Sequence, residues 1–161
     1  MKRRKAAVVT VSSSAYAGKR EDISGVKLAE GLSALDFELV KEVVVPDDLD
    51  AIVSALGELI SRGNISLIAT SGGTGLSPDD VTPEATFEVI DREVPGIGEI
   101  LRTEGFKKTK TAVLSRGIAG VAGKTLIINL PGSPKGVRES LTILKDILHH
   151  GLDLIEGKKP H

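Results

Sequence analysis

Short runs of β-branched and aliphatic residues alternate along this chain with stretches whose apolar residues recur every three to four positions, and that alternation constrains the fold more than any other feature. Ala6 to Val11 reads as a first strand. A polar loop from Ser12 to Ser24 follows, then a helix with Leu28, Leu32 and Leu35 on one face. Leu39 to Val45 reads as the second strand; Pro46 stops it and Asp47 is placed to cap the next helix, whose stripe is Leu49, Ile52, Val53, Leu56, Leu59 and Ile60. Gly63 ends that helix. The third strand, Ile65 to Thr70, runs into SGGTGLSPDDV, after which Thr82 and Pro83 stand as cap and first residue of a helix through Phe87 and Ile90. A shorter helix is expected around Ile97 to Leu101. Thr111 to Leu114 and Thr125 to Leu130 read as two more strands, and the Gly-rich connection between them, Ser115 to Lys124, is too short for a helical crossover, so the pair is expected to be antiparallel. A last helix, Val137 to His150, turns Leu141, Leu144, Ile147 and Leu148 inward.

This order predicts an α/β three-layer sandwich: a mostly parallel sheet with one antiparallel strand and helices on both faces, formed by one domain over residues 1–161. Ligands of such sheets bind beyond the carboxyl ends of the parallel strands. Composition narrows the ligand. With three Phe, one Tyr and no Trp there are too few rings for a surface that stacks nucleic-acid bases, and a net charge of −1 supplies no basic field for a polyanion. The absence of cysteine removes disulfides, thiolate metal sites and Cys nucleophiles. The start MKRRKAAVVTVSSSAYA imitates a signal peptide, but its apolar patch, Ala6 to Val11, is six residues long, against the roughly 7 to 15 of such a segment. No stretch is apolar enough to span a membrane, and the expected location is cytoplasmic.

Two phosphate motifs fail on inspection. Gly123, Lys124 and Thr125 resemble the end of a Walker loop, but Ile118 stands where its first glycine belongs, and the triplet leads into a strand. Gly73 and Gly75 begin a dinucleotide fingerprint that Pro78 breaks. Better placed is Ser71, Gly72, Gly73, Thr74 and Gly75, directly after a buried strand, where successive backbone N–H groups can curl around an anion and the Ser71 and Thr74 hydroxyls add donors. A second loop, Pro131 to Gly136, offers Gly132, Ser133 and Lys135 from another strand end. Asp47 and Asp48 follow the second strand, and Asp79 and Asp80 the third. A carboxylate about 4 Å from a phosphate charge costs roughly 4 kcal/mol at an effective dielectric of 20, so a phosphate site lined with Asp needs a cation between them, and Mg²⁺ suits that donor set. Simpler uses stay open: Asp47 as a helix cap, Asp79 as the anchor of a turn. The histidines His149, His150 and His161 read as the end of a helix and its tail, not as metal ligands.

TSGGTG from Thr70, DDVTPEA from Asp79, DREVPGIGE from Asp91, LSRGIAG from Leu114, NLPGSPKG from Asn129 and DISG from Asp22 together resemble the molybdopterin adenylyltransferase family, the MogA and MoaB type of molybdenum-cofactor biosynthesis. The resemblance spans nearly the whole chain in the family's order. It implies the molybdenum cofactor biosynthesis protein fold and Mg²⁺-dependent transfer of AMP from ATP to the terminal phosphate of molybdopterin, releasing pyrophosphate. It places the family's two functional aspartates on Asp47 and Asp80. Its pterin- and phosphate-binding positions fall on Ser71, Gly72, Gly73, Thr74, Ser115, Gly132, Ser133 and Lys135. It further implies a homotrimer or hexamer and handover to the molybdenum-insertion enzyme. Two departures stand out: Ser13, where many relatives have Asp, and Gly117, where some have a second serine. The alternative is a non-catalytic molybdopterin-binding or carrier protein of the same fold.

Overall fold

The computed structural model describes residues 2–159; His161, grouped above with His149 and His150, lies outside the described residues. Six strands form one sheet in the order β2-β1-β3-β6-β5-β4. They are β1 (Arg4–Val11), β2 (Phe37–Val45), β3 (Leu67–Ser71), β4 (Arg92–Glu93), β5 (Ala119–Ala122) and β6 (Thr125–Leu130). β1 pairs in parallel with β2 and β3, and β3 with β6. β5 pairs antiparallel with both β6 and β4, so it is the one strand that runs against the rest.

The helices are α1 (Ser13–Tyr16), α2 (Ile23–Ala34), α3 (Leu49–Ser61), α4 (Thr82–Val89), α5 (Pro95–Lys108), α6 (Pro134–Leu144) and α7 (Leu148–Ile155). Alternation along β1 sorts them into two layers. Ala6 and Val8 point to the face where Leu28 and Leu32 of α2, Ile97 of α5, Val137 and Leu141 of α6 and Leu152 of α7 pack. Ala7, Val9 and Val11 point to the other, against Ile52, Leu56 and Leu59 of α3 and Ala85 of α4. The stripe read for α3 is the one buried, and Gly63 ends the helix at φ +72°. Leu56 is fully buried, a position where truncation to Ala costs about 2–5 kcal/mol.

Three expectations need correction. Thr111 to Leu114 is not a strand but lies in a 3₁₀ turn, Lys110–Leu114. The antiparallel partner of β6 is β5, inside the stretch read as a connection. Its AGVA sequence looks like turn material, yet Gly120 is required there because a Cβ would stand 2.5 Å from Ile90 and 2.8 Å from the Arg92 carbonyl. The last helix is two helices: the chain turns over Lys145 to Ile147, which lets α7 bury Leu148 and Leu152 under the sheet. The short fifth helix is in fact fourteen residues long.

At the end of the sheet opposite the strand exits, Arg4 of β1 donates from Nε to Glu156 Oε1 at 2.9 Å and pairs with Asp153 through Nη2, while His149 stacks on Phe37 with centroids 4.5 Å apart. The Arg4 hydrogen bond, seconded by Lys158, pulls the Glu156 carboxyl from its ordinary 4.5 to about 2. A carboxylate whose folded value lies below its unfolded one contributes stability that is complete above the unfolded value and is lost as the pH falls through the folded one. Arg4→Ala is therefore expected to lower the melting temperature at pH 7 by about 2–4 °C. Thermal scans should show the gap from the wild type closing as the pH is taken from about 4.5 down through about 2.

Candidate active site

β1 leads through α2 to β2 on one side, and β2 returns over it through α3 to β3 on the other, so the connections diverge at the carboxyl ends of β1 and β3. A crevice opens at such a switch point. Here the exits are glycine-cushioned. Gly72, at φ +100°, donates from its N–H to the Leu130 carbonyl at 3.1 Å, and a Cβ on it would lie 2.3 Å from the Val11 carbonyl. A Cβ on Gly132 would sit 3.3 Å from the Gly72 Cα. Gly73 is also left-handed, at φ +69°. The N–H groups of Gly73, Thr74 and Gly75 find no acceptor among the described residues.

Two clefts flank this contact. The smaller, about 320 Å³, takes Ser71, Gly72, Gly73 and Gly132 together with Asp47 and Asp80. The larger, about 510 Å³, takes Thr74, Ser115, Ser133 and Lys135. All ten candidate residues thus reach the strand-exit edge, six in one cleft and four in the other.

Their hydrogen bonds differ from the simplest expectation. The Ser71 hydroxyl donates to the Pro131 carbonyl at 2.8 Å, so it ties the two glycine loops together. Ser133 caps α6, its Oγ accepting from Gly136 N at 3.0 Å. Asp47 does not cap α3; Asp48 does, accepting from Ala51 N at 2.9 Å. Asp47 instead closes a box with Ser13: its Oδ2 accepts from Ser13 N at 3.0 Å and Oγ at 3.1 Å, and its own N–H donates to Ser13 Oγ at 2.9 Å. Ser13, the departure noted above, thereby fixes the aspartate. Asp80 accepts from Ser77 N at 3.1 Å, and a Cβ on Gly75 would stand 2.8 Å from Asp80 Oδ2, so the glycine leaves that carboxylate its position. Asp79 lies outside both clefts; its N–H donates to Ser77 Oγ at 3.4 Å.

Several residues of the site lie in the quoted motifs but are not singled out as site residues by sequence reasoning. Asp22 lines the smaller cleft, accepts from Thr10 Oγ1 at 2.8 Å and caps α2 through Gly25 N at 2.9 Å. It stood in the DISG stretch, whose capping pattern was the available signal. Thr82, fully buried, donates to the Gly72 carbonyl at 2.9 Å, and so braces the loop instead of capping α4. Asn129 bridges Thr70 and Thr86 at 3.1 and 2.9 Å behind the larger cleft.

A doubly wound sheet with a glycine-lined, acid-bearing crevice at its switch point defines an α/β protein built to hold an anionic ligand against carboxylates. The comparisons are specific. The chain belongs to the family described as "Probable molybdopterin binding domain", whose model matches residues 7–150. It is 40% identical over 153 residues to a molybdopterin adenylyltransferase of Helicobacter pylori, covering 93% of this chain and 86% of that protein. It is 39% identical over 150 residues to the Drosophila melanogaster molybdenum cofactor synthesis protein cinnamon, of which it spans only 25%. The crystal structure of a molybdopterin biosynthesis enzyme, MoaB of Thermus thermophilus, superposes with a TM-score of 0.90 at 47% identity, covering 96% of this chain and 98% of that one. The fold is the MogA and MoaB fold.

The glycine contact makes a measurable demand. Gly72→Ala is expected to unfold several degrees below the wild type, because both its φ and its approach to Val11 forbid a side chain. Gly57→Ala, in mid α3 with open space around it, is the control and should gain about 0.5–1 kcal/mol in urea titrations.

Proposed function

We propose that this protein is a molybdopterin adenylyltransferase: it transfers AMP from ATP to the terminal phosphate of molybdopterin and releases pyrophosphate. The observation that carries the reading is the single glycine loop, residues 71 to 75, that borders two adjoining clefts, one acid-lined and one with cationic side chains. Two substrates that must meet at one phosphorus need that arrangement. The 40% identity to a named adenylyltransferase over most of the chain supports it.

In this reading the larger cleft takes the pterin, with Thr74, Ser115, Ser133 and Lys135 along it, and the smaller takes the nucleotide. Gly73, Thr74 and Gly75 offer their unpaired N–H groups to phosphate oxygens at the junction, and Gly72 and Gly132 let the ligand approach the backbone. An oxygen of the molybdopterin phosphate attacks the α-phosphorus of ATP, forming one P–O bond. The bond from that phosphorus to the bridging oxygen breaks, and pyrophosphate leaves with its electron pair. The phosphate is already an anion, so the protein supplies no nucleophile and no essential base; it aligns the partners and balances charge.

Asp47 and Asp80 share the smaller cleft, and each has one carboxylate oxygen free of the hydrogen bonds described above. No group of three or more His, Asp or Glu among the described residues forms a self-sufficient metal cage. That donor set fits Mg²⁺ arriving with the nucleotide, because this ion takes one or two carboxylates and fills the rest of its shell with phosphate oxygens and water. Bound there, Mg²⁺ supplies the charge neutralisation that acidic walls and a triphosphate require. The reading includes a cytoplasmic location, where ATP is available, and a homotrimer or hexamer. Its product goes on to the molybdenum-insertion enzyme.

Mixing protein, Mg²⁺, ATP and molybdopterin is expected to release pyrophosphate in step with consumption of ATP, and EDTA should abolish it. Asp80→Asn should lower kcat by about 10² or more while molybdopterin still binds. Tight molybdopterin binding with no ATP-dependent product would identify a carrier instead.

A further inference from the structure

We propose that Arg116 is a positioning residue for Asp80, holding the aspartate's loop in register with the segment that carries Ser115; this rests on the role given to Asp80 above. The loop between Gly75 and Val81 needs such a support. Leu76 is 65% exposed, and Ser77, Pro78 and Asp79 are exposed as well. Internally the loop is a small knot, with Asp80 N donating to Ser77 O at 2.9 Å and Ser77 N to the Asp80 carboxylate at 3.1 Å. The knot fixes Asp80 relative to Ser77 but not relative to the sheet.

Arg116 grips it at both ends. Nε donates to the Gly75 carbonyl at 2.8 Å, and Nη2 to the Asp80 carbonyl at 2.7 Å. The outer edge of the guanidinium is held in turn by Glu84 in the first turn of α4, Nη1 to Oε2 at 2.6 Å and Nη2 to Oε1 at 3.2 Å. Its backbone N–H donates to the Thr74 carbonyl at 2.7 Å. One planar fork therefore aligns the start of the loop, its aspartate and the following helix, a task that the point charge of a lysine cannot reproduce.

The placement separates this from a catalytic role. Arg116 lines neither cleft, whereas its neighbours Ser115 and Gly117 line the larger one and Asp80 the smaller. Its side chain is 34% exposed and that of Glu84 49%, so the pair adds little to global stability. Glu84 in its bidentate contact is held below the ordinary carboxylate range, and Arg116 feels the charges of both Glu84 and Asp80. What two guanidinium bonds to one loop, backed by two to Glu84 of α4, accomplish is orientation, and misplacing a catalytic group by about 1 Å can cost about 10²-fold in rate.

The test is steady-state pyrophosphate release by the full chain with molybdopterin, Mg²⁺ and ATP. Arg116→Ala is expected to lower kcat by about 10- to 100-fold, with KM for molybdopterin within about threefold and the melting temperature within a few degrees of the wild type. Arg116→Lys, which keeps the charge and is the variant to use if the alanine form does not fold, should recover less than half of the lost logarithm of kcat. In an Asp80→Asn background, assayed at high enzyme concentration, Arg116→Ala should add less than about twofold. An unchanged kcat, full rescue by lysine, a loss confined to KM, or factors that multiply in the double variant each overturn the inference. A wild type that releases no pyrophosphate overturns the activity itself, and this inference with it, before any variant is compared.

Discussion

Three parallel strands leave the sheet so close together that the chain following the central one has no room for a side chain. Gly72 lies between the Val11 carbonyl of β1 and Gly132 beyond β6, and its N–H completes the ladder to Leu130. The rest of the site is arranged around that point. Because β1, β3 and β6 are neighbours and parallel, their loops must emerge at one edge. Because Gly72 and Gly73 both adopt left-handed backbone, the loop after β3 doubles back, and its N–H groups turn away from the sheet. The division into two clefts is the geometric result: the loop is the wall between them.

Buried polar side chains then stiffen what the glycines allow. Thr82 holds the Gly72 carbonyl, Ser71 holds the Pro131 carbonyl, Ser24 holds the Gly132 carbonyl at 2.6 Å, and Asn129 joins Thr70 to Thr86. Among the described residues no buried side-chain nitrogen or oxygen lacks a partner. Glycine loops that approach a ligand closely are entropically costly, and a fully satisfied network is what keeps such a loop in one conformation. The Ser71 hydroxyl, which looks available for ligand binding in the sequence, is therefore committed to the scaffold.

That explains what could and could not be read from the residues alone. Periodicity revealed α3 and the alternation of strand and helix because burial enforces it, and the glycine loops could be placed at strand ends because nothing else tolerates those backbone angles. Direction of side chains was not legible. Asp47 and Asp48 are chemically identical neighbours, and only the fold shows that Asp48 caps α3 while Asp47 reaches across to Ser13. The β5 strand was hidden because its glycine is a packing requirement against Ile90, not a turn signal. Arg116 was hidden because its importance lies in three acceptors 32 to 41 residues away along the chain.

The charge on the walls sorts the ligands that each cleft can accept. Asp22, Asp47, Asp80 and Glu21 line the smaller cleft against one cation, Arg20. At an effective dielectric near 20 each carboxylate within about 4 Å of a phosphate charge opposes it by roughly 4 kcal/mol, so the proposed nucleotide site calls for a metal-bound triphosphate and not a bare one. In the larger cleft Arg102 and Lys135 outnumber Glu139, and Leu101, Leu114, Pro131 and Ile143 supply flat aliphatic surface without one aromatic ring. In the proposed reading a planar ligand with a single phosphate rests there without a metal, held by edge hydrogen bonds and aliphatic contact in place of stacking. The two clefts thus select by charge before they select by shape, and the junction at residues 71 to 75 is where a metal-shielded phosphate and an unshielded one can come within reacting distance.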